Sequence, residues 1–222
     1  MSSFRVRARL ADAGCTGGVR VRWLPFLAVV GMAAALAGCV TTENALSRSD
    51  IDSLKLTGIN VSFTPEARIQ WEEGVRAYAT AKGLSEEQIA SASSAPEAKA
   101  YVQNMLAPRV KAAIERKLAG QLHGSRPVRL DVVIHNFVIS SAVQRILIGG
   151  THMMIADATL VDARTGAVVV AHPKLVGQAF AGQGILGTAV EAAVDNAAAR
   201  TTFDRIVESY SERYSAWLLR RT

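Results

Sequence analysis

Cysteine is scarce in this chain, and its distribution limits how the fold can be stabilised. Only Cys15 and Cys39 occur among the 222 residues, and the sequence after Cys39 contains none. No disulfide can form within that larger part, so its stability has to come from a hydrophobic core. Metal sites built from clustered cysteines are excluded for the same reason.

An excess of one charge is also missing from most of the sequence. The whole chain carries 25 basic and 19 acidic side chains, a formal net charge of +6. Residues 1–38 hold five arginines and one aspartate, so the remainder has a net charge of only +2. No basic run in that remainder is longer than Arg220-Arg221. Since a nucleic-acid-binding surface needs clustered basic residues, we expect no nucleic-acid partner.

No apolar run is long enough to span a membrane. The longest, Trp23–Ala37, has fifteen uncharged residues, whereas a spanning helix needs about 20 apolar residues. The run follows five arginines and is followed by small residues, which is typical of the central region of a secretory signal peptide. We therefore predict that residues 1–38 are a signal peptide.

The residues that end this run identify a type of signal peptide. Leu36-Ala37-Gly38-Cys39 resembles the lipobox of bacterial lipoproteins. The resemblance implies that the Cys39 thiol receives a diacylglyceryl group, that cleavage makes Cys39 the first residue, and that its amine is acylated. Val40, in place of an aspartate, implies retention on the periplasmic face of the outer membrane. The alternative is an ordinary signal peptide cut elsewhere, with Cys39 incidental.

After the leader, the sequence predicts a tether and one domain. Residues 39–50 are polar and have no repeating apolar face, so they are predicted to be a tether that spans at most about 35 Å. Residues 51–222 are long enough for a single domain with a sizeable core. Because the domain would be held near the membrane, the acyl chains at Cys39 are its predicted membrane contact.

Periodicity predicts the elements of this domain. Alternation predicts a first strand over Ile51–Phe63 with a bulge at Gly58, and Thr64-Pro65 is a typical helix start. A long helix follows, whose apolar residues recur every four positions and which Gly124 would end, with Pro108 causing a kink or a break; the residues are Val102, Leu106, Val110, Ile114, Leu118 and Leu122.

The sequence of the second half of the domain predicts hairpins and a final helix. Strands are expected over Val128–Ile139, with a phase shift near His135, then over Ala142–Ile148, Met153–Val161 and 167–180, the last one broken at Pro173. Asp162–Gly166 predicts a type I turn with a bulge. The order β-α-α-β-β-β-α indicates an α+β fold with a mostly antiparallel sheet covered by helices in a two-layer sandwich.

Two resemblances accompany this order of elements. The hairpin around Asp162–Gly166 resembles that of small envelope lipoproteins of unassigned function. The element order is similar to the periplasmic α/β modules of the curli-secretion lipoprotein and the amino-terminal domain of TolB. Neither resemblance assigns a functional residue.

The sequence offers no established catalytic, metal or cofactor motif. Gly182–Gly187 fits G-x-G-x-x-G, but no second parallel strand follows it, so we predict a glycine turn and no cofactor. The histidines are single, although His135, His152 and His172 lie on consecutive predicted strands, and no metal site is expected. No G-x-S-x-G motif supplies a catalytic serine, so we predict no catalytic residue and no enzymatic activity.

The final helix carries an apolar stripe that has two interpretations. Its residues are spaced 4-3-4-3 and are Phe203, Val207, Tyr210, Tyr214 and Trp217. The stripe is out of phase with Val190 and Val194, so either the helix bends near Ala198–Thr202 or its end packs elsewhere. The stripe is interpreted as core, or as a partner surface if it is exposed.

These observations predict a binding protein of the envelope. We expect a lipid-anchored, non-enzymatic accessory or scaffold that binds an envelope protein through a sheet edge or the final helix. The alternative is a carrier of a small apolar or amphipathic ligand, which requires a deep apolar cavity. An envelope enzyme is a third hypothesis and requires polar groups that converge in a cleft.

Overall fold

The fold is known from a computed structural model that describes residues 42–198 and 201–221, without the side chains of 194–198. Cys39 and the lipobox residues Leu36, Ala37 and Gly38 lie outside the described residues. Seven helices and four strands are described. In chain order they are α1 (Arg48–Ser53), β1 (Leu54–Gln70), α2 (Glu72–Lys82), α3 (Glu86–Ala92), α4 (Pro96–Leu118), β2 (Arg126–Ile139), α5 (Ala142–Leu147), β3 (His152–Asp162), β4 (Val168–Ala179), α6 (Gly184–Ala198) and α7 (Thr202–Leu218).

The four strands form one open, mixed sheet in the order β1-β2-β3-β4. The predicted α+β class is confirmed, and β2, β3 and β4 pair antiparallel. β1 pairs parallel to β2, which corrects the mostly antiparallel prediction. The reason is the connection: α2, α3 and α4 lie between β1 and β2, and such a crossover returns the chain in the same direction.

α4 and α7 cover one face of the sheet and contact each other. The apolar ladder from Val102 to Leu122 is buried, as its spacing predicts. It faces the buried alternate residues of β2, which are Val128, Leu130, Val132 and Ile134. α2 packs against α4 and α3 against α2, so the two-layer prediction describes only part of the helical arrangement. No helix among the described residues could cross a membrane.

The first half of the domain differs from prediction at both ends of β1. Ile51 belongs to α1, and β1 starts at Leu54 and continues through Thr64-Pro65 to Gln70. The sheet tolerates this proline because β1 is an edge strand and its register shifts between Phe63 and Arg68. The predicted bulge at Gly58 is confirmed by a register shift there.

The long helix and the later strands require further corrections. α4 ends at Leu118, before Gly124, and Pro108 lies inside it without ending it. Residues 142–147 form α5, a helix in place of the predicted strand, and Ser141 caps it by accepting a hydrogen bond from Gln144 N. β4 continues past Pro173, where a register shift and a positive φ at Lys174 absorb the proline.

The turn between β3 and β4 and the break in the last helix match their predictions. Gly166 donates to the carbonyl of Asp162 at 2.8 Å and takes the positive φ that this kind of bulge requires. The final helical region is divided into α6 and α7, and Thr201 caps α7 with Asp204 in a capping box. The interruption lies where the change of stripe predicts a bend.

Candidate binding surface

The aromatic stripe of α7 is core, which corrects its interpretation as a partner surface. Phe203, Val207, Tyr210 and Tyr214 are all at most 2% exposed and belong to the main hydrophobic cluster. They pack there because α7 lies directly on β4: a Cβ at Gly177 would come within 2.5 Å of Cβ of Tyr210. A partner cannot reach these four side chains without unfolding the domain.

Trp217, the last residue of the stripe, holds the start of the described chain. Its indole Nε1 donates to the carbonyl of Thr42 at 2.7 Å. Asn44 is buried, and its Nδ2 donates to the carbonyls of Trp217 and Leu218 at 3.0 and 2.9 Å. The part of the predicted tether from Asn44 onward is therefore attached to the domain. We call this end of α7 the tethered end.

The sheet edges offer little for a partner strand. Proline lacks the N–H that a strand donates to a neighbour, and irregularities twist an edge away from pairing. Pro65 and the shift before Arg68 interrupt β1, and Pro173 with Lys174 interrupts β4. Neither surface that the sequence favours for a partner, the final helix or a sheet edge, is thus well suited to bind one.

A different surface is exposed and apolar, at the end of the sheet farthest from Thr42. α5 and α6 contact each other there, beside the end of β2, the start of β3 and the end of β4. Eight large apolar side chains on these segments are between 41% and 83% exposed: Val143, Ile146, Leu147, Ile148, Phe180, Ile185, Leu186 and Val190. We call these eight residues the distal apolar surface.

The distal apolar surface has no exposed charge. Within residues 140–151 and 179–193 the only ionisable side chains are Arg145 and Glu191. Both are buried, at 8% and 3% exposure. Glu191 is the one buried residue among 184–193, so the described part of α6 turns its single charge inward and its apolar residues outward. A helix that is apolar toward solvent normally has another surface over it.

A network around the Glu191 carboxylate lies beneath this surface. Its Oε2 accepts a hydrogen bond from the backbone N–H of Gly182 at 2.9 Å and lies 3.2 Å from Nε of Arg145. Its Oε1 accepts from the Thr202 hydroxyl at 3.0 Å and lies 2.8 Å from Nε2 of His152. The carboxylate therefore joins α5, α6, β3 and the start of α7.

The guanidinium groups complete the network. Arg145 Nε donates to the carbonyl of Gly182 at 3.0 Å, and its Nη1 donates to the carbonyl of Ser140. Nη2 of Arg205 lies 3.7 Å from Glu191. One buried cation, Arg145, and one partly buried cation, Arg205, thus lie beside one buried anion, and the contact between Arg145 and Glu191 fixes α5 against α6. The network positions the distal apolar surface.

Histidine 152 gives this network a dependence on pH. Burial lowers the pKa of His152, against the raising effect of Glu191 and with the lowering effects of Arg145 and Arg205. Nδ1 of His152 has no hydrogen-bond partner among the residues that the structure describes. We therefore take His152 to be neutral in the folded protein.

We expect acid to destabilise the domain through His152. The unfolded chain binds a proton at its ordinary pKa of about 6.5, whereas the folded chain does not, so stability is lost as pH falls through that value. The free energy of unfolding should fall by about 1 kcal/mol more in the wild type than in His152→Gln between pH of about 7.5 and 5. Urea denaturation at the two pH values measures this, and equal losses in both proteins would contradict it.

The glycine motif and the other histidines do not form a site. The N–H of Gly182, which a phosphate loop would offer to a ligand, is bound by Glu191. His135 lies 2.8 Å from Asp157, His172 contacts Trp217 edge to face, and His152 lies in the network, so the three do not converge. No group of three or more potential metal ligands occurs among the described residues.

A groove of about 510 Å³ lies beside the distal apolar surface. Much of its lining is polar and comes from Arg68, Gln70, Asn136, Gln144 and Gln183. Gln70 Nε2 donates to Gln144 Oε1 at 2.7 Å, which closes part of it. Such a groove suits hydrogen-bonding groups better than the apolar ligand of a carrier.

Sequence reasoning missed the distal apolar surface. Residues 142–148 are predicted to be a strand, and Ile185 and Leu186 fall in the segment interpreted as a glycine turn before the last helix. One signal in the sequence could have found it, namely the scarcity of charge. Residues 140–151 and 179–190 together contain a single charged residue, Arg145.

Comparisons with known proteins give a family and weak structural similarities. The model of a family described as "Family of unknown function (DUF6778)" matches residues 94–222, which include the whole distal apolar surface. No functionally curated protein matches the chain.

Three solved structures are similar to part of the fold. A proposed lipoprotein from Caulobacter crescentus CB15 is 16% identical, with a TM-score of 0.29, over 51% of this chain and 80% of its own. A protein of family DUF330 from Xanthomonas campestris is 14% identical, with a TM-score of 0.39, over 80% and 90%. A PelC dodecamer from Paraburkholderia phytofirmans is 14% identical, with a TM-score of 0.33, over 81% and 95%. These values are too low to carry information on function.

Proposed function

The chain belongs to the DUF6778 family of unknown function, and we propose that it is a lipid-anchored, non-enzymatic binding module of the bacterial envelope. One observation carries the proposal. The exposed apolar surface and the start of the described chain lie at opposite ends of the same domain. A protein built in this way can be held to a membrane at one end and bind at the other.

The anchor follows from the leader and from the position of Thr42. Cys39 precedes Thr42 by three residues, which span at most about 10 Å. Thr42 and Asn44 are bound to the last turn of α7. If Cys39 is acylated, the tethered end therefore stays close to the bilayer. Val40 favours the periplasmic face of the outer membrane as that bilayer.

The binding end is separated from the anchor by the length of α7. Thr202, which contacts Glu191, and Trp217, which contacts Thr42, are about 23 Å apart along the helix. The distal apolar surface is thus directed away from the anchoring membrane, and its lack of basic residues does not favour anionic lipid. A protein surface is the occupant that these features support.

The carrier alternative has less support. A carrier holds its apolar side chains around a cavity, whereas the exposed apolar side chains here lie on α5 and α6 and on the segments beside them, facing solvent. Polar side chains supply about half of the lining of the groove beside them. An accessory or scaffold role, in which the protein brings a partner to the membrane, agrees better with this arrangement.

We expect mass spectrometry of the purified mature protein to find Cys39 at its amino terminus, bearing a diacylglyceryl group. The thiolate is the nucleophile that the modification requires, so Cys39→Ser should abolish incorporation of labelled palmitate and leave an uncleaved precursor. Cys15→Ser is the matched control and should incorporate label like the wild type. A mature protein that begins at another, unmodified residue would refute the anchor.

A further inference from the structure

We propose that the distal apolar surface is an interface between two copies of this chain, so that the protein acts on the membrane as a dimeric scaffold. This inference rests on the proposed function, because it names the partner of the binding end. Its evidence is the area of the surface, its lack of charge and the way that the buried network fixes it.

The area is sufficient for a stable pair. Summed over the whole residues, the eight expose on the order of 1,000 Å². Each partner of a standard interface contributes about 800 Å². If two copies bury this surface against each other, they cover an area of the expected size.

The absence of charge favours a second copy over a different protein. In a two-fold symmetric contact the same patch lies on both sides, so a patch whose exposed charges share one sign would repel its copy. Arg145 and Glu191 are both buried, and no other charged side chain lies in 140–151 or 179–193. An interface that selects a different partner usually carries complementary charges at its rim. Beside this surface Arg68 is a charge of one sign in the neighbouring groove, and the eight apolar residues themselves carry no charge that would repel a second copy.

The surface is held in one shape before binding. Glu191 and Arg145 connect α5 to α6, and Gly182 is bound by both of them. A surface that is already ordered loses less conformational entropy when it associates. Two copies anchored in one leaflet can bring their distal ends together if the domains lean toward each other, and anchorage raises their local concentration because each is confined to a thin layer above the bilayer.

Single cysteines test the interface in intact cells. The acylated mature protein has no free thiol, because Cys15 leaves with the leader and Cys39 is modified. We expect Leu147→Cys and Ile185→Cys, treated with a membrane-permeant bis-maleimide, each to give a crosslinked dimer of this chain as a main product. Ala163→Cys, in the exposed hairpin at the tethered end, should give only a trace.

A second substitution distinguishes association from collision. Leu186, 83% exposed, can be changed to glutamate without loss of core packing, and Leu186→Glu should abolish the dimer of Leu147→Cys because it places two carboxylates in an apolar contact. Val168→Glu is the matched control: Val168 is 65% exposed but lies at the start of β4, and the dimer should persist.

Other crosslinking patterns would contradict either the dimer or the anchor. Equal crosslinking at Leu147 and Ala163, no product at either distal position, or a product of Leu147→Cys with a different protein would overturn the second-copy interface. Crosslinking of the wild type, which has no added cysteine, would instead show that the thiol of Cys39 is free. That result would refute the anchor but not the dimer, which the same comparison of Leu147→Cys with Ala163→Cys would support or overturn once Cys15 and Cys39 are both serine.

Discussion

Replacing Glu191 with alanine is expected to lower the free energy of unfolding by about 3–5 kcal/mol, because it leaves the buried Arg145 guanidinium without the carboxylate that it contacts. The carboxylate contacts Arg145 at 3.2 Å and Arg205 at 3.7 Å, and it accepts the hydrogen bonds of Gly182 and Thr202. Alanine removes all of these contacts together. Urea denaturation followed by circular dichroism measures the loss.

Glu191→Gln is the matched control for charge. The amide keeps an acceptor for Gly182 or for Thr202 but not the negative charge. We therefore expect the free energy of unfolding of Glu191→Gln to lie between those of the wild type and the alanine variant. Limited proteolysis should show where the loss acts: cleavage in 180–193 should increase in the alanine variant before cleavage in β2. An alanine variant with the wild-type urea midpoint and cleavage pattern would show that the network does not hold α6.

Tyr214→Ala should be about as damaging, at about 3–5 kcal/mol, because it leaves a cavity under α7. The side chain is 0% exposed and belongs to the main core cluster. Its ring centroid lies 6.0 Å from that of Trp217, which binds Thr42. A loss of this size, measured as a fall in the thermal midpoint, would confirm that the stripe is core. A change below about 1 kcal/mol would contradict it.

Tyr214→Phe should raise the free energy of unfolding, whereas Tyr214→Ala lowers it. The Tyr214 hydroxyl is buried and has no hydrogen-bond partner among the described residues, and such a group costs about 1–3 kcal/mol. Tyr210 is the matched control, since its hydroxyl donates, over a long 3.5 Å, to the carbonyl of Ala156. We expect Tyr214→Phe to be stabilised and Tyr210→Phe to change little. Destabilisation of Tyr214→Phe would mean that its hydroxyl has a partner.

The sequence predicts those elements whose pattern is set locally. The four-residue ladder from Val102 to Leu122 is buried as its period requires, and alternation along β2 locates both its core face and its phase shift at His135. The prediction that a helix begins at Thr64-Pro65 is wrong, because β1 continues through Pro65 to Gln70. A proline after threonine is as compatible with an edge strand as with a helix start, and only the position of β1 in the sheet decides between them.

The candidate surface depends on contacts between residues far apart in the sequence. Ala142–Ile148 is an apolar run too short for its period to separate strand from helix, so nothing local shows that it is exposed. Glu191 is a single acid in an alanine-rich helix, and its partner Arg145 lies 46 residues earlier in the chain. The spacing of the α7 stripe is the same for a buried core face and for an exposed interface. The stripe is buried because β4 approaches α7 closely at Gly177.

The attachment of Asn44 to α7 has a mechanical consequence. A force applied at the acylated end acts on a segment that is attached to the domain, because Asn44 donates hydrogen bonds to the carbonyls of Trp217 and Leu218. The load passes along the axis of a helix whose other end meets Glu191 through Thr202. Tension between the bilayer and a partner bound at the far end would thus be carried along α7, on one face of the sheet.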